Sequence, residues 1–325
     1  MNLIVERERG PLAQLEARIA ELRARDAPGA RAEIAELEAK YRTLLLDVFG
    51  ELSPWERVHM ARHPKRPLGG DYLAALDAFD ELHGDRRFRD DPALVGGFAK
   101  VQGRRIVALA QLKGRDTKEN VKRNFGMVSP EGYRKAARLM ALADRFGLPI
   151  VSFVDTAGAD PGIGSEERGQ SEAIASCLAT LAGVRVPIVA AIVGEGGSGG
   201  ALALALSDYT LMAQHAVYSV ASPEGCAAIL WGDASRAPEA AEHLRLTSGD
   251  LVGFEIVDEV VPEPLGGAHR DASGFMAAVL SAIGGALAEL VRIDPETLRE
   301  RRYERYRRIG AHACAENERL LAAQR

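Results

Sequence analysis

The chain has 325 residues, 47% of them hydrophobic and 27% charged, enough to bury a sizeable core and, at roughly 150 residues per domain, to form about two domains. A net charge of -5 argues against a nucleic-acid partner recruited by overall charge. Cys177, Cys226 and Cys314 lie far apart and are odd in number, which excludes a disulfide framework or zinc ribbon within the chain and fits a reducing compartment. Glu6, Arg7, Glu8 and Arg9 stand where a secretory signal needs its apolar core. No apolar run approaches the ~20 residues of a membrane helix, so a cytoplasmic protein is expected.

Leu12, Leu15, Ile19 and Leu22 have helical spacing, Ala27-Pro28-Gly29 interrupts it, and Ile34, Leu37, Tyr41, Leu44 and Val48 resume it. This predicts a helical hairpin with one apolar stripe, which either packs on its own chain or serves as a partner-binding arm. Ser53-Pro54-Trp55-Glu56 is a helix start, and Arg62-His63-Pro64-Lys65-Arg66-Pro67 a basic loop in which His63 reads as a hydrogen-bonder rather than a metal ligand. Leu94 to Val101 and Arg104 to Leu112 flank Gln102-Gly103 as a β-hairpin. The basic stretch from Lys113 to Asn124 reads as a solvated loop, with contact to the phosphates of a nucleotide-bearing ligand as the alternative.

Pro130 and Gly147 bracket a helix over 131–146. A strand over 149–154 runs into the loop Asp155-Thr156-Ala157-Gly158-Ala159-Asp160-Pro161-Gly162, and a helix over 166–182 follows. A second apolar strand ends at Val193, a turn from Gly194 to Gly200 contains five glycines, Glu195 and Ser198, and an Ala/Leu helix starts at Ala201. Right-handed crossovers place both glycine loops on one sheet edge, facing one cleft. Bare glycine N–H groups at a helix start suit an anion, or an oxygen that becomes one during reaction. Downstream, strands are expected at 209–212, 217–220 and 255–261, and helices at 223–231, 238–246 and from Ala272 to Arg308. The arginine-rich segment from Leu298 to Arg308 reads as an exposed, ion-paired helix.

Three motifs overlap at the central turn. Gly194-Glu195-Gly196-Gly197-Ser198-Gly199 satisfies the dinucleotide fingerprint, but the acid that follows, Asp208, precedes a strand instead of ending one. Gly196-Gly197-Ser198-Gly199-Gly200 satisfies the nucleophile-elbow pattern, yet His215, His243 and His269 offer no convincing base for Ser198. The third reading is an oxyanion cradle that works without a side-chain nucleophile.

The chain resembles the alpha subunit family of bacterial acetyl-CoA carboxylase carboxyltransferases. The resembling stretches include Arg62-His63-Pro64, Phe79-Asp80-Glu81-Leu82, Asn124-Phe125-Gly126-Met127, Pro130-Glu131-Gly132-Tyr133-Arg134-Lys135-Ala136, Glu166 to Ala175, Gly194 to Leu202, Ser222-Pro223-Glu224-Gly225-Cys226 and Pro262 to Arg270, in order along nearly the whole chain. The resemblance implies an α/β crotonase-like fold of ββα repeats with an N-terminal helical hairpin and C-terminal helices. It divides the chain into an N-terminal helical region (1–65), a carboxyltransferase domain (66–292) and a C-terminal helical tail (293–325). It implies carboxyl transfer from carboxybiotin, carried on a separate protein, to acetyl-CoA, giving malonyl-CoA for fatty acid synthesis.

By the same resemblance the active site lies between this chain and a beta subunit that holds the zinc, in an α2β2 core that works with biotin carboxyl carrier protein and biotin carboxylase. The N–H groups of Gly199 and Gly200 correspond to the oxyanion hole on the biotin side. Gly158, Ala159, Pro161, Gly162, Gly197, Ser198 and Ala201 correspond to residues around the substrate. No general base is nominated, and Glu195 is expected only to fix the turn. Ala157 and Asp160 depart from the family's Asp-Thr-Pro-Gly-Ala-Tyr-Pro-Gly, replacing a proline and an aromatic residue. A related acyl-CoA hydratase or isomerase, and a non-catalytic scaffold for the beta subunit, are the rival readings.

Overall fold

The computed structural model describes residues 2–25 and 30–310; Ala27-Pro28-Gly29, Cys314 and the end of the C-terminal tail lie outside them. Helix α1 (Leu3–Glu8) precedes the expected hairpin of α2 (Pro11–Arg25) and α3 (Ala30–Phe49). Leu12, Ile19 and Leu22 are buried on α2, and Leu45 and Phe49 on α3. Arg18–Glu33 (2.9 Å) and Arg23–Glu38 (2.6 Å) bridge the two helices. The hairpin's base packs on its own chain, where Leu12, Leu45 and Phe49 form a small core with Ile4, Leu52 and Met60. Helix α4 (Pro54–Ala61) starts at the expected capping box of Ser53 and Glu56.

Helix α5 (Gly69–Ala74) and strand β1 (Ala78–Glu81) were not anticipated; both are too short for periodicity to reveal. Strands β2 (Leu94–Val101) and β3 (Arg104–Gln111) form the predicted hairpin. Its two turn residues, Gln102 and Gly103, both have positive φ, the geometry that matches strand twist. Helices α6 (Thr117–Lys122) and α7 (Pro130–Phe146) follow, the latter ended by left-handed Gly147 (φ 65°). Next come β4 (Ile150–Thr156), α8 (Ile163–Glu167), α9 (Gln170–Gly183), β5 (Ile188–Gly197) and α10 (Ser198–Ala205). The single helix expected over 166–182 is broken at Gly169 (φ 80°).

The chain continues through β6 (Tyr209–Ala213), β7 (Val217–Ser219), α11 (Pro223–Trp231), α12 (Ala237–Leu244), α13 (Ser248–Gly253), β8 (Glu259–Val261), α14 (Ala272–Leu290) and α15 (Pro295–Arg308). The strand expected from Glu255 starts only at Glu259, because α13 and its exit turn take up the residues before it.

The sheet order is β1-β2-β3-β4-β5-β6-β8, with β7 paired to the far end of β5. β1, β2 and β3 are antiparallel, and the pairs from β3 onward are parallel. β4 is buried at every position, as its apolar run requires once helices cover both faces. Helix α14 corrects one expectation: with its lead-in turn, Ala268–Leu290 is long and apolar enough to span a membrane by length and composition. Its Phe275, Val279, Ile283 and Leu287 are buried in the main core, packed on β5 and β6.

Buried ion pairs tie the outer segments to this sheet. The basic loop after α4 exposes Pro64 and Lys65 but buries its second arginine: Arg66 is 2% exposed, donates to the Val193 carbonyl (2.7 Å) and grips Glu263 through two bonds of 2.9 and 2.6 Å. Glu263 also accepts from the N–H groups of His215 and Ala268. Burial pushes its carboxyl up, but Arg66 prevails and holds it at about 2. Glu8 of α1 reaches His63, His269 and Arg270. His63 Nδ1 accepts the Lys65 N–H, so its Nε2 carries the proton and donates to Glu8. That tautomer and the adjacent guanidinium make the Glu8–His63–His269 group a latch and oppose a cation there. His63 is thus the hydrogen-bonder expected.

At the other end, α15 is more than an exposed ion-paired helix. Arg302 is 2% exposed, holds Asp208 through two bonds of 2.8 Å, and donates to the carbonyls of Leu181, Val184 and Val186. Replacing Arg302 by Met strands the buried Asp208, whose burial already pushes its carboxyl up. Urea denaturation should show a loss of about 3 kcal/mol for Arg302→Met. The Glu263 pair gives a pH signature with a definite sign. Its carboxyl lies below an unfolded value near 4.5, so its contribution is complete above pH 4.5 and is lost as pH falls towards 2. Stability measured by denaturation across that window should fall less steeply in Glu263→Gln than in wild type.

Candidate active site

β4 and β5 are parallel neighbours, so their C-terminal ends and the loops that follow lie on one edge, with Thr156 beside Gly196 in register. The strand expected to stop at Val193 runs on to Gly197, because Glu195, Gly196 and Gly197 pair with Val217, Tyr218 and Ser219 of β7. α10 therefore begins at Ser198, three residues earlier than its Ala/Leu run indicated. Among the described residues no side chain caps this helix. Gly199 and Gly200 stand in its first turn, where N–H groups have no intrahelical acceptor. Such a turn can hold an oxygen on which negative charge builds.

The glycines divide into two kinds. A Cβ on Gly197 would come within 2.1 Å of the Ala157 carbonyl oxygen, and one on Gly200 within 2.4 Å of the Ala159 nitrogen. The two loops thus interlock through these positions, and the space left by the missing side chains is filled by protein. Gly199 differs: a Cβ there would meet only Ile174, at 3.7 Å. Gly199 and Ser198 open onto a largely apolar cavity of about 620 Å3, whose walls include Leu202, Tyr218, Val220 and Phe254. Gly200 and Ala201 are buried, and Gly158, Ala159 and Gly197 are half-buried; Pro161 and Gly162 are exposed. Ala201, expected beside the substrate, is 0% exposed, so its methyl group has no open face for a ligand.

The first turn of α10 is anchored from below. The Gly200 carbonyl accepts from Gln111 Nε2 (2.8 Å) and Tyr133 OH (3.2 Å), and Gln111 Oε1 accepts the Asp155 N–H (3.2 Å). In the neighbouring loop, Asp160 accepts from the Gly162 N–H (3.1 Å) and from the Ser165 hydroxyl. The charge of Asp160 is therefore spent within its own loop. These bonds hold its carboxyl below the usual range although burial pushes the other way.

Sequence reasoning missed the charged groups beneath the turn. Lys113 was read as part of a solvated loop, but its ammonium bonds Asp155 Oδ1 (2.7 Å) and Glu195 Oε2 (2.6 Å). Arg62 takes the other Glu195 oxygen (2.6 Å) and is itself held by Glu224. Burial raises the Glu195 carboxyl, yet Lys113 and Arg62 outweigh it and hold it at about 2. Lys113, Asp155 and Glu195 sit at or just past the ends of three adjacent strands. That recurrence of a charge where each apolar run stops was the available signal.

The competing motifs lose their supports here. Ser198 has a left-handed backbone (φ 56°), as a nucleophile elbow would, but among the described residues its hydroxyl has no hydrogen-bond partner. His215 faces Arg57, with burial pushing its imidazole down to about 4; His243 packs on Trp231, and His269 stacks on His63. Asp208, the acid a dinucleotide site would need, is held by Arg302.

The chain has counterparts among known proteins both in sequence and in fold. It is 51% identical to the acetyl-coenzyme A carboxylase carboxyl transferase subunit alpha of Vibrio campbellii over 92% of its own length and 96% of that protein. Its fold matches the transcarboxylase 12S hexamer with methylmalonyl-coenzyme A and methylmalonic acid bound, with a TM-score of 0.57 and 21% identity over 70% of this chain and 42% of that one. It also matches a chain of the Pseudomonas malonate decarboxylase hetero-tetramer in complex with coenzyme A, with a TM-score of 0.57 and 18% identity over 74% of this chain and 94% of that one. The structural likenesses establish the fold, the crotonase-like architecture expected from the sequence. The family described as acetyl co-enzyme A carboxylase carboxyltransferase-like matches residues 5–310, and the chain belongs to it.

Proposed function

We propose that this chain is the alpha half of a carboxyltransferase which, joined to a beta subunit, moves a carboxyl group from carboxybiotin to acetyl-CoA and so makes malonyl-CoA for fatty acid synthesis. The single observation that carries this reading is the uncapped first turn of α10, with Gly199 opening onto an apolar cavity and, among the described residues, no hydrogen-bond partner for the Ser198 hydroxyl. Carboxybiotin, delivered on a separate carrier protein, supplies the activated CO2. This chain's part is to bind and to polarise: the N–H groups of Gly199 and Gly200 stabilise charge building on the ureido oxygen, each worth about 3 kcal/mol. The loop from Gly158 to Gly162 flanks the same edge.

Glu195, the carboxylate nearest the turn in sequence, argues against the hydratase alternative. That chemistry needs an acid–base group poised near neutral pH, whereas Glu195 is held at about 2 between two cations. In our reading the beta subunit supplies the second oxyanion site and the zinc, in an α2β2 core that works with biotin carboxyl carrier protein and biotin carboxylase. Val220 and Ile163, close to the two loops, and Ile229 and Leu230 on α11 leave 63–81% of their surface exposed, apolar area that such a partner would cover. Residues 66–292 form the transfer domain; the described parts of the flanking regions, up to 65 and over 293–310, brace it, through Glu8 and Arg302 among others. The thiols of Cys177 and Cys226 are free, which suits a cytoplasmic setting.

The reverse reaction, malonyl-CoA decarboxylation coupled to biotin carboxylation, tests the assignment. The mixture with a beta subunit should be active and this chain alone silent; activity from the chain alone would remove the partner from the mechanism. In the mixture Gly200→Ala drives a methyl group into the Ala159 backbone and should cost about 100-fold in rate, since a misplacement of ~1 Å costs that much. Gly199→Ala, with room for its Cβ, should cost less than about tenfold, as its N–H is retained. Ser198→Ala should keep most of the wild-type rate; its abolition would restore the hydrolase reading.

A further inference from the structure

Three adjacent parallel strands end at the edge that carries the glycine loops. Lys113 lies two residues past the end of β3, Asp155 is the penultimate residue of β4, and Glu195 lies near the end of β5. The Lys113 ammonium bonds both carboxylates, at 2.7 and 2.6 Å, with its side chain 16% exposed. Asp155 Oδ1 also accepts the Glu195 N–H (3.0 Å), so the same oxygen meets the cation and the neighbouring backbone. At Gly126 a Cβ would fall 2.8 Å from Lys113 Cγ, so the stem of the lysine is closely confined as well.

The position of this group in the chain gives it leverage. One glycine loop leaves immediately after Asp155-Thr156, and α10 starts three residues after Glu195. The loops then touch through Gly197 on Ala157 and Gly200 on Ala159, with no room for a methyl group. Any change in the spacing of Asp155 and Glu195 is therefore passed to the first turn of α10. Without a cation between them, the two carboxylates would repel across the sheet and would oppose an anion forming above them.

We propose that Lys113 is a positioning residue for carboxyl transfer: by bonding Asp155 and Glu195 together it fixes the spacing of the two loops that form the site. The proposal rests on the carboxyl-transfer reading. Lys113 touches no reacting atom; it acts through Glu195, with Arg62 and Glu224 closing the far side of the network.

The test uses the complex of this chain with a beta subunit, assayed by malonyl-CoA decarboxylation with free biocytin as the carboxyl acceptor. In Lys113→Met and in Glu195→Gln, kcat should fall about 10- to 100-fold, with the KM for malonyl-CoA within about twofold of wild type. In Lys113→Met, Glu195 is left with Arg62 alone and should take up a proton at a higher pH than in wild type, so kcat should fall further than in wild type as pH is lowered. Glu195→Gln leaves the Lys113–Asp155 and Arg62–Glu224 pairs whole, so its fold is preserved and its kcat decides the matter even where Lys113→Met assembles poorly. Wild-type kcat in Glu195→Gln, or a loss confined to KM, would overturn the positioning role while leaving the carboxyl-transfer reading in place. A wild-type complex without transfer activity would overturn both.

Discussion

A cation between two carboxylates is the condition on which the active edge rests. Asp155 and Glu195 end neighbouring strands, and an unpaired buried carboxylate at either place would cost several kcal/mol. Lys113 and Arg62 remove that cost and leave Glu195 neutralised, directly below a turn whose N–H groups are suited to an anion. The arrangement separates two demands. Charge underneath holds the backbone in place, while the surface above is left to uncharged amide groups, which stabilise new charge without reorganising.

The same economy of side chains explains the glycines. Close approach of two backbones needs residues without Cβ, so Gly197 and Gly200 lock the loop after β4 to the first turn after β5. Within the turn from Gly194 to Gly200, Gly199 alone has open space where a side chain would stand. Glycine-rich sequence at a helix start is thus compatible with two roles, and here neighbours in the chain perform different ones. Gln111 and Tyr133 add the third dimension by gripping the Gly200 carbonyl from β3 and α7.

Much of this fold was readable from local pattern. The hairpin turn at Gln102-Gly103, the helix between Pro130 and Gly147, the apolar runs of β4 and β5 and the helix over 223–231 are decided within a few residues, and they lie where expected. The edge position of the glycine turn followed from them. What could not be read was pairing between distant charges. Lys113 looks like any loop lysine until Asp155 and Glu195 are brought to it; Arg302 looks like one solvated arginine among many until Asp208 and three carbonyls surround it. The end of β5 was misplaced for the same reason, since its last residues are held in the sheet by β7, more than twenty residues further on. The resemblance to a known family named the turn but carried no information on what supports it.

The Glu8 latch has a consequence for the order in which the protein is made. Glu8 bonds His269 and Arg270, 261 and 262 residues later in the chain, and Arg66 waits for Glu263, 197 residues on. During synthesis the first helix leaves the ribosome long before its partners exist. The loop that carries Arg62, His63 and Arg66 can settle only when the last quarter of the chain has emerged. A nascent chain stalled before residue 263 would hold Lys113, Asp155, Glu195 and Arg62, but would leave Arg66 without Glu263 and Glu8 without His269 and Arg270. The link between α1 and the segment around His269 thus closes late, after the strands of the active edge have been made.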